Sequence, residues 1–169
     1  LMLSSIFANF PTIFFESRSL HSSIGEVPKK PYFIDPTKAN VHQKGKDITM
    51  IGFGPSFKNC VDVSELLLKK KGISSEIISL RSINPIDEAT IINSVKKTRR
   101  VCVIEHGWPD AGIASDIISK VVKKVSLKNK PLSFCWPKSY APTTYKLEKE
   151  FYFSNDKIFK DILNSNIFE

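Results

Sequence analysis

The 169-residue chain predicts an α/β domain, a three-layer αβα arrangement around a mostly parallel sheet. Three observations predict it. From residue 47 onward, β-branched runs alternate with amphipathic segments long enough to be the crossovers that parallel strands require. The first of these runs, ITMIGFG at 48–54, is apolar almost without interruption, as a strand buried on both faces must be. The composition, 41% hydrophobic and 25% charged, suits one soluble globular domain, and a chain of this length can bury a core without a metal or disulfide staple.

Taken in order, residues 12–16 (TIFFE) form a short β-like run. Residues 17–46 carry Gly25, Pro28, Pro31, Pro36 and Gly45 with no sustained period, and read as a linker. Strand 48–54 leads into a helix over 55–71, with Phe57, Cys60, Val61, Ser64, Leu67 and Leu68 on one face and Gly72 as its stop. A strand at 74–80 precedes a helix at 87–98, for which Asp87 is the N-cap and Ile91, Ile92 and Val95 point inward. Strand 101–105 is followed by a helix at 111–125 with a broad stripe of Ile113, Ile117, Val121, Ile118, Val122 and Val125. A strand at 132–136, a proline-broken loop and a helix near 154–164, capped by Ser154 or Asn155, complete the chain. There is no internal repeat.

The net charge of +8 does not predict a nucleic-acid partner. Of 25 cations 21 are Lys, and only Arg18, Arg81, Arg99 and Arg100 offer the forked geometry that grips phosphate. The clusters Lys69–Lys71, Lys96–Lys97 and Lys123–Lys124 fall near predicted helix ends, where cations complement the helix dipole. Cys60, Cys102 and Cys135 lie in apolar runs without metal-ligand spacing, as reduced core thiols do. The opening LMLSSIFANFPTIFF lacks a basic start and is broken by Pro11, and the chain begins with Leu1, so it reads as an internal fragment rather than a secretory leader. No run approaches the roughly 18 apolar residues of a membrane span, and no membrane partner is expected.

Three segments could carry chemistry. GFGPSF at 52–57 lies where a dinucleotide fingerprint would, but Phe57 replaces the third glycine, Pro55 removes a backbone donor, and the next strand ends in Leu80-Arg81 without a carboxylate for a ribose. A tight strand-to-helix turn accounts for it better. Glu105-His106-Gly107-Trp108 sits at the carboxyl end of a strand, the edge where open α/β sheets place ligands. Glu105 and His106 could form an acid/base pair, yet no nucleophile or metal-ligand companion is visible. In the favoured reading Glu105 caps the following helix or pairs with Arg81 or Arg99, and Trp108 packs at a subunit contact. In RSINPID (81–87), Pro85 and Asp87 are explained by turn and cap geometry, while Arg81 could bind an anion, meet an acidic partner or pair internally.

Together GKDITMIGFG, SSEIISLRSINPIDEATIINSVKKTRRVCVIEHGWPDAGIASDI and SYAPTTYKLEKEFYFS resemble the C-terminal domain of the transketolase family. The likeness is strongest to the beta subunit of the thiamine-diphosphate-dependent decarboxylating component of 2-oxo acid dehydrogenases, of pyruvate or branched-chain type. It implies residues 1–24 as the tail of a preceding pyrimidine-binding domain, 25–46 as a linker and 47–169 as the C-terminal domain. It also implies an assembly with an alpha subunit, a second beta subunit and a lipoyl acyltransferase core, in the cytoplasm of a bacterium or in a mitochondrial matrix or plastid. Thiamine diphosphate and magnesium would serve the complete enzyme. The activating glutamate lies in the preceding domain and the diphosphate is held largely by the alpha subunit, so this chain alone is expected to bind no cofactor and to be inactive. Its expected work is assembly and docking, with Arg81, Asp87, Glu105, His106, Trp108 and Asp110 as interface candidates. EHGWPDAG differs from the EGGWPQ-like form of pyruvate enzymes, which leaves the substrate open. Half of a split transketolase or deoxyxylulose-phosphate synthase, or a non-catalytic binding module, are the alternatives.

Overall fold

A computed structural model describes all residues from Leu1 to Glu169. In chain order the elements are α1 (Met2–Ile6), β1 (Asn40–Gln43), β2 (Ile48–Phe53), α2 (Pro55–Lys71), β3 (Ser75–Leu80), α3 (Glu88–Thr98), β4 (Val101–Ile104), α4 (Ile113–Lys124), β5 (Leu132–Phe134), α5 (Tyr145–Phe151) and α6 (Asn155–Asn164). The five strands form one sheet in the order β1-β3-β2-β4-β5, parallel except for β1, which runs antiparallel along β3.

Side-chain parity divides the interior into two cores. Ile48 and Met50 of β2, Ile77 of β3, and Cys102 and Ile104 of β4 face one side, where α2 and α6 cover them with Cys60, Val63, Leu67, Ile158 and Ile162. Ile51, Ile78, Leu80, Val101 and Val103 face the other, against Ile91 and Val95 of α3 and Ala114, Ile117 and Val121 of α4. This is the expected three-layer arrangement. Within the second face Thr49 is fully buried, its hydroxyl 2.8 Å from the hydroxyls of both Ser94 and Thr98, so the polar atoms of β2 and α3 satisfy one another.

The helix boundaries follow the expected chemistry. Pro55 occupies the first turn of α2, where its missing N–H costs nothing, and Gly72 ends the helix in the left-handed conformation at φ +67°. Ser154 caps α6 by accepting from the Lys157 amide at 3.2 Å. The buried face of α2 is Ser56, Cys60, Val63, Ser64 and Leu67; Leu68, expected inside, is exposed. GFGPSF is a tight turn. A Cβ on Gly52 would come within 2.8 Å of the Cys60 sulfur and 2.9 Å of the Phe57 backbone, so the glycine serves close packing of α2 on its own strand.

Three segments differ from expectation. Residues 12–16 form no strand and are exposed, because no neighbouring strand pairs with them. The segment expected to be a linker supplies β1, whose Asn-Val-His-Gln sequence has no apolar alternation; an edge strand exposed on one side does not need it. The loop around Pro137 and Pro142 contains α5, a short helix without one buried residue and therefore without an apolar stripe to announce it.

Asp87 ties the edge strand region to the body. Besides capping α3 by accepting from the Thr90 amide at 3.2 Å and hydroxyl at 2.7 Å, it accepts from the Ala39 amide at 3.0 Å, just before β1. Burial alone would raise its carboxyl pKa, but the bonds from Thr90 and Ala39 outweigh burial and hold it below the ordinary carboxylate value. A group depressed in the folded state stabilises above its unfolded pKa, roughly 4, and that stabilisation is lost as pH falls through the lower folded value. Acid titration of urea-unfolding stability should therefore decline below about pH 4 in the wild type and less steeply in Asp87→Asn, while Asp87→Ala should cost about 1–3 kcal/mol at neutral pH. Parallel acid profiles for wild type and Asp87→Asn would refute this account.

Candidate functional site

The carboxyl ends of β2 and β4 mark the point where the sheet reverses direction. From β2 the chain passes through α2 on one face to β3, whereas from β4 it passes through α4 on the opposite face to β5. Such a reversal opens the crevice in which α/β sheets hold ligands. Here the crevice is bounded by the Gly54-Pro55 turn and the loop 105–112.

Period-two geometry continues past β4 and sends successive side chains to opposite faces. Glu105 turns toward α4. It is 7% exposed, and its two oxygens accept from the amides of Ile113 at 3.1 Å and Ala114 at 2.8 Å, satisfying the first turn of that helix. Of the readings open for Glu105, helix capping is the one realised; it pairs with neither Arg81 nor Arg99. The loop closes around the carboxylate because Gly112 has no side chain, a Cβ there lying 2.7 Å from Glu105 Oε2 and from the Trp108 carbonyl.

His106 turns the other way, toward α2. Its Nε2 lies 2.8 Å from Asn59 Oδ1, and its ring stacks on Trp136 at 5.0 Å and meets the edge of Phe153 at 5.6 Å. Burial lowers its pKa below the ordinary histidine value, so the ring is neutral at pH 7. Glu105 and His106 thus occupy opposite sides of the sheet and do not form an acid/base pair. Trp136 also packs on Tyr152 at 4.8 Å, which ties α5 and the start of α6 to the sheet edge.

The other candidates lie farther out. Trp108 is 45% exposed and touches only the edge of Tyr140 among aromatics, itself 89% exposed. Asp110 pairs with Lys138, which raises the lysine pKa. Arg81 donates to the Lys38 carbonyl at 3.3 Å. The structure therefore gathers Glu105, His106, Trp108 and Asp110 in one loop, and leaves Arg81 and Asp87 beside the opposite edge of β2, near the chain that enters β1. Asn59, Asn155, Trp136 and Phe153 join the cluster without having been expected. Their one sequence signal was Asn59, a poor helix former, set beside the buried Cys60.

The residues at this edge do not make a site for thiamine diphosphate or magnesium. The carboxylates of Asp87, Glu105 and Asp110 are each committed inside the chain, no cluster of three metal-ligating side chains occurs, and the glycine turn is filled by Cys60 and Phe57. Burial raises the pKa of the Cys60 and Cys102 thiols, and burial followed by the nearby Glu105 charge raises that of Cys135, so none is an activated nucleophile. No helix is long and apolar enough to cross a membrane.

Because Glu105 alone serves two otherwise unpaired amides, Glu105→Gln should lower stability by about 1–3 kcal/mol, its amide group facing a backbone N–H that needs an acceptor. Denaturant titration measures this. A change within a few tenths of a kcal/mol would show that water replaces the carboxylate.

Comparison with known proteins gives this geometry a family. The model of the transketolase C-terminal domain matches residues 37–158. The beta subunit of the pyruvate dehydrogenase E1 component from Dictyostelium discoideum, a mitochondrial protein, is 39% identical over 121 residues, 69% of this chain and 34% of that protein. Its counterpart in Staphylococcus epidermidis is 37% identical over 128 residues, 75% of this chain and 39% of that protein. The chain thus spans little more than a third of the length of these relatives. Among solved structures, a split-gene transketolase described as an inactive beta4 tetramer superposes with a TM-score of 0.71 over 88% of this chain and 48% of that one, at 17% identity. Transketolase from Campylobacter jejuni superposes with a TM-score of 0.53 over 80% of this chain and 20% of that one, also at 17% identity. Both structures support the fold alone. With the family model covering most of its length and its sheet, helices and crossovers of the expected kind, the chain belongs to the transketolase C-terminal domain family.

Proposed function

We propose that the chain is the C-terminal part of the beta subunit of a thiamine-diphosphate-dependent 2-oxo acid dehydrogenase, where it serves assembly and docking. The observation that carries this reading is the 37–39% identity to pyruvate dehydrogenase beta subunits across 121 to 128 residues. The reaction of the complete enzyme would be oxidative decarboxylation of a 2-oxo acid with transfer of the acyl group to a lipoyl carrier. An alpha subunit, a second beta subunit and the acyltransferase core would be its partners, and the cofactor and its magnesium would lie outside this chain.

The surface is consistent with such a role. Trp108 and Tyr140 stand out from the carboxyl edge, flanked by the Asp110–Lys138 pair, an aromatic anchor with a polar rim of the kind that subunit contacts use. Asp87 and Glu105 would act through the loops they hold, and Arg81, His106, Trp108 and Asp110 through contact. Phe7, Phe10, Ile13, Phe14, Phe15 and Ile24 are exposed along the first 24 residues, apolar surface that a further domain or subunit would cover. That agrees with reading residues 1–24 as the tail of a preceding domain and 25–46 as its connection, with β1 drawn from the connection into the sheet.

Co-expression with an alpha subunit of a 2-oxo acid dehydrogenase, followed by analytical ultracentrifugation, tests the reading. An αβ species should form, and Trp108→Ala should weaken it at least tenfold, about 1.4 kcal/mol, with little change in the melting of the chain alone. Calorimetry of the chain alone should show no binding of thiamine diphosphate. A chain that stays apart from every alpha subunit offered would favour the binding-module reading instead.

A further inference from the structure

His106 is the one edge residue whose hydrogen-bonding state can be worked out atom by atom. Asp62 on α2 is a carboxylate bridged by Lys58 at 2.9–3.0 Å and able only to accept. Asn155 of α6 donates to it through Nδ2 at 2.9 Å. With its amide end so committed, Asn155 presents Oδ1 to Asn59, whose Nδ2 donates at 2.7 Å. Asn59 is then left with its own Oδ1 toward His106 Nε2, 2.8 Å away. Two acceptors cannot bond, so Nε2 carries the hydrogen. A neutral imidazole has only one N–H, and its Nδ1 is therefore a bare lone pair. That atom has no partner within the chain and reaches solvent, since it is not among the buried polar atoms left without one.

We propose that His106 is a preset hydrogen-bond acceptor site: the run Asp62–Asn155–Asn59 holds its ring as the Nε2–H tautomer and leaves Nδ1, at the sheet's reversal point, for an N–H or O–H donor brought from outside the chain. The arrangement specifies the ligand by chemistry. To the neutral ring a carboxylate or phosphate oxygen would present a lone pair against a lone pair, whereas a hydroxyl, amide or ammonium group is accepted. Stacking on Trp136 and the edge contact with Phe153 hold the plane of the ring, so the direction of approach is set as well. Asn59 and Asn155 are positioning residues, which act only through the ring. The site goes beyond the assembly role, since it stands on bonds within one chain and can be tested with no partner present.

The experiment is long-range ¹H–¹⁵N NMR of the full 169-residue chain at pH 7.5, the imidazole nitrogens of His106 being assigned by comparison with His106→Gln. Nδ1 should resonate as an unprotonated nitrogen and Nε2 as a protonated one. Asn59→Ala should collapse the two signals toward the averaged values of a free histidine while circular dichroism stays unchanged. Diethyl pyrocarbonate, which acylates an accessible unprotonated imidazole nitrogen, should modify His106 as judged by peptide mass. A ring protonated on Nδ1, or averaged signals in the wild type, would overturn the assignment. Separated signals that survive Asn59→Ala would remove the amide run as their cause, and a locked ring inert to the reagent would show Nδ1 closed to outside donors.

Discussion

The constraint on which the rest of this structure depends is the two-sided burial of β2 and β4. Every residue from Ile48 to Ile51 and from Val101 to Ile104 is fully buried, so each side chain must satisfy either the α2/α6 face or the α3/α4 face, and the alternation admits no slip of register. A shift of one residue would drive Thr49 into the aliphatic core of α2 and α6 and strip Ser94 and Thr98 of their partner. The same parity carries beyond the last paired residue. Glu105 must emerge on the side of α4 and His106 on the side of α2, and the contacts of both follow from that before any question of function arises.

That division explains why two adjacent polar residues, suggestive of catalysis when read along the chain, do unrelated work. Glu105 exchanges water for two backbone amides at a helix start, an arrangement that satisfies donors which would otherwise be buried unpaired. His106 joins α2, α6 and the β5 edge through Asn59, Asn155 and Trp136. One residue closes the loop onto its helix and its neighbour closes the crevice between the two central strands. The position that most members of a fold class reserve for ligands is here largely occupied by the protein's own side chains, with one nitrogen left over.

Much of the fold was legible in the sequence because it rests on strong local signals. A near-continuous apolar run marked β2, short β-branched runs in the strand–helix rhythm marked β3 and β4, Asp87 and Ser154 marked helix starts, and Gly72 marked a stop. What escaped reading depends on tertiary context. β1 is held by Asp87, almost fifty residues further along, through the Ala39 amide, and by pairing with β3; nothing in Asn40–Gln43 shows either. α5 buries no residue, and its attachment runs through Phe151, Tyr152 and Trp136, which meet only after the chain has folded back. The site was half legible for the same reason. The loop 105–110 could be located as the end of a strand, but Asn59 and Asn155, 96 residues apart, become partners only when α6 docks on α2.

Chemistry of this kind fits the assembly role proposed above, in which the reacting groups would lie elsewhere. Catalytic carboxylates and thiols need to be partly free, with proton affinities placed near working pH. Here the edge carboxylates are bound to amides, hydroxyls or a lysine, and the buried thiols are pushed away from ionisation. Side chains committed in this way are held in place rather than left free to react. A surface whose loops are held before association loses less conformational freedom on binding, and the contact proposed for the exposed Trp108 would then express more of its energy as affinity. A loop tied to its helix through Glu105, an aromatic pair left standing in solvent, and a histidine whose lone pair is set in advance are properties that suit pre-organised recognition, and in this chain they sit together at the carboxyl edge of the sheet.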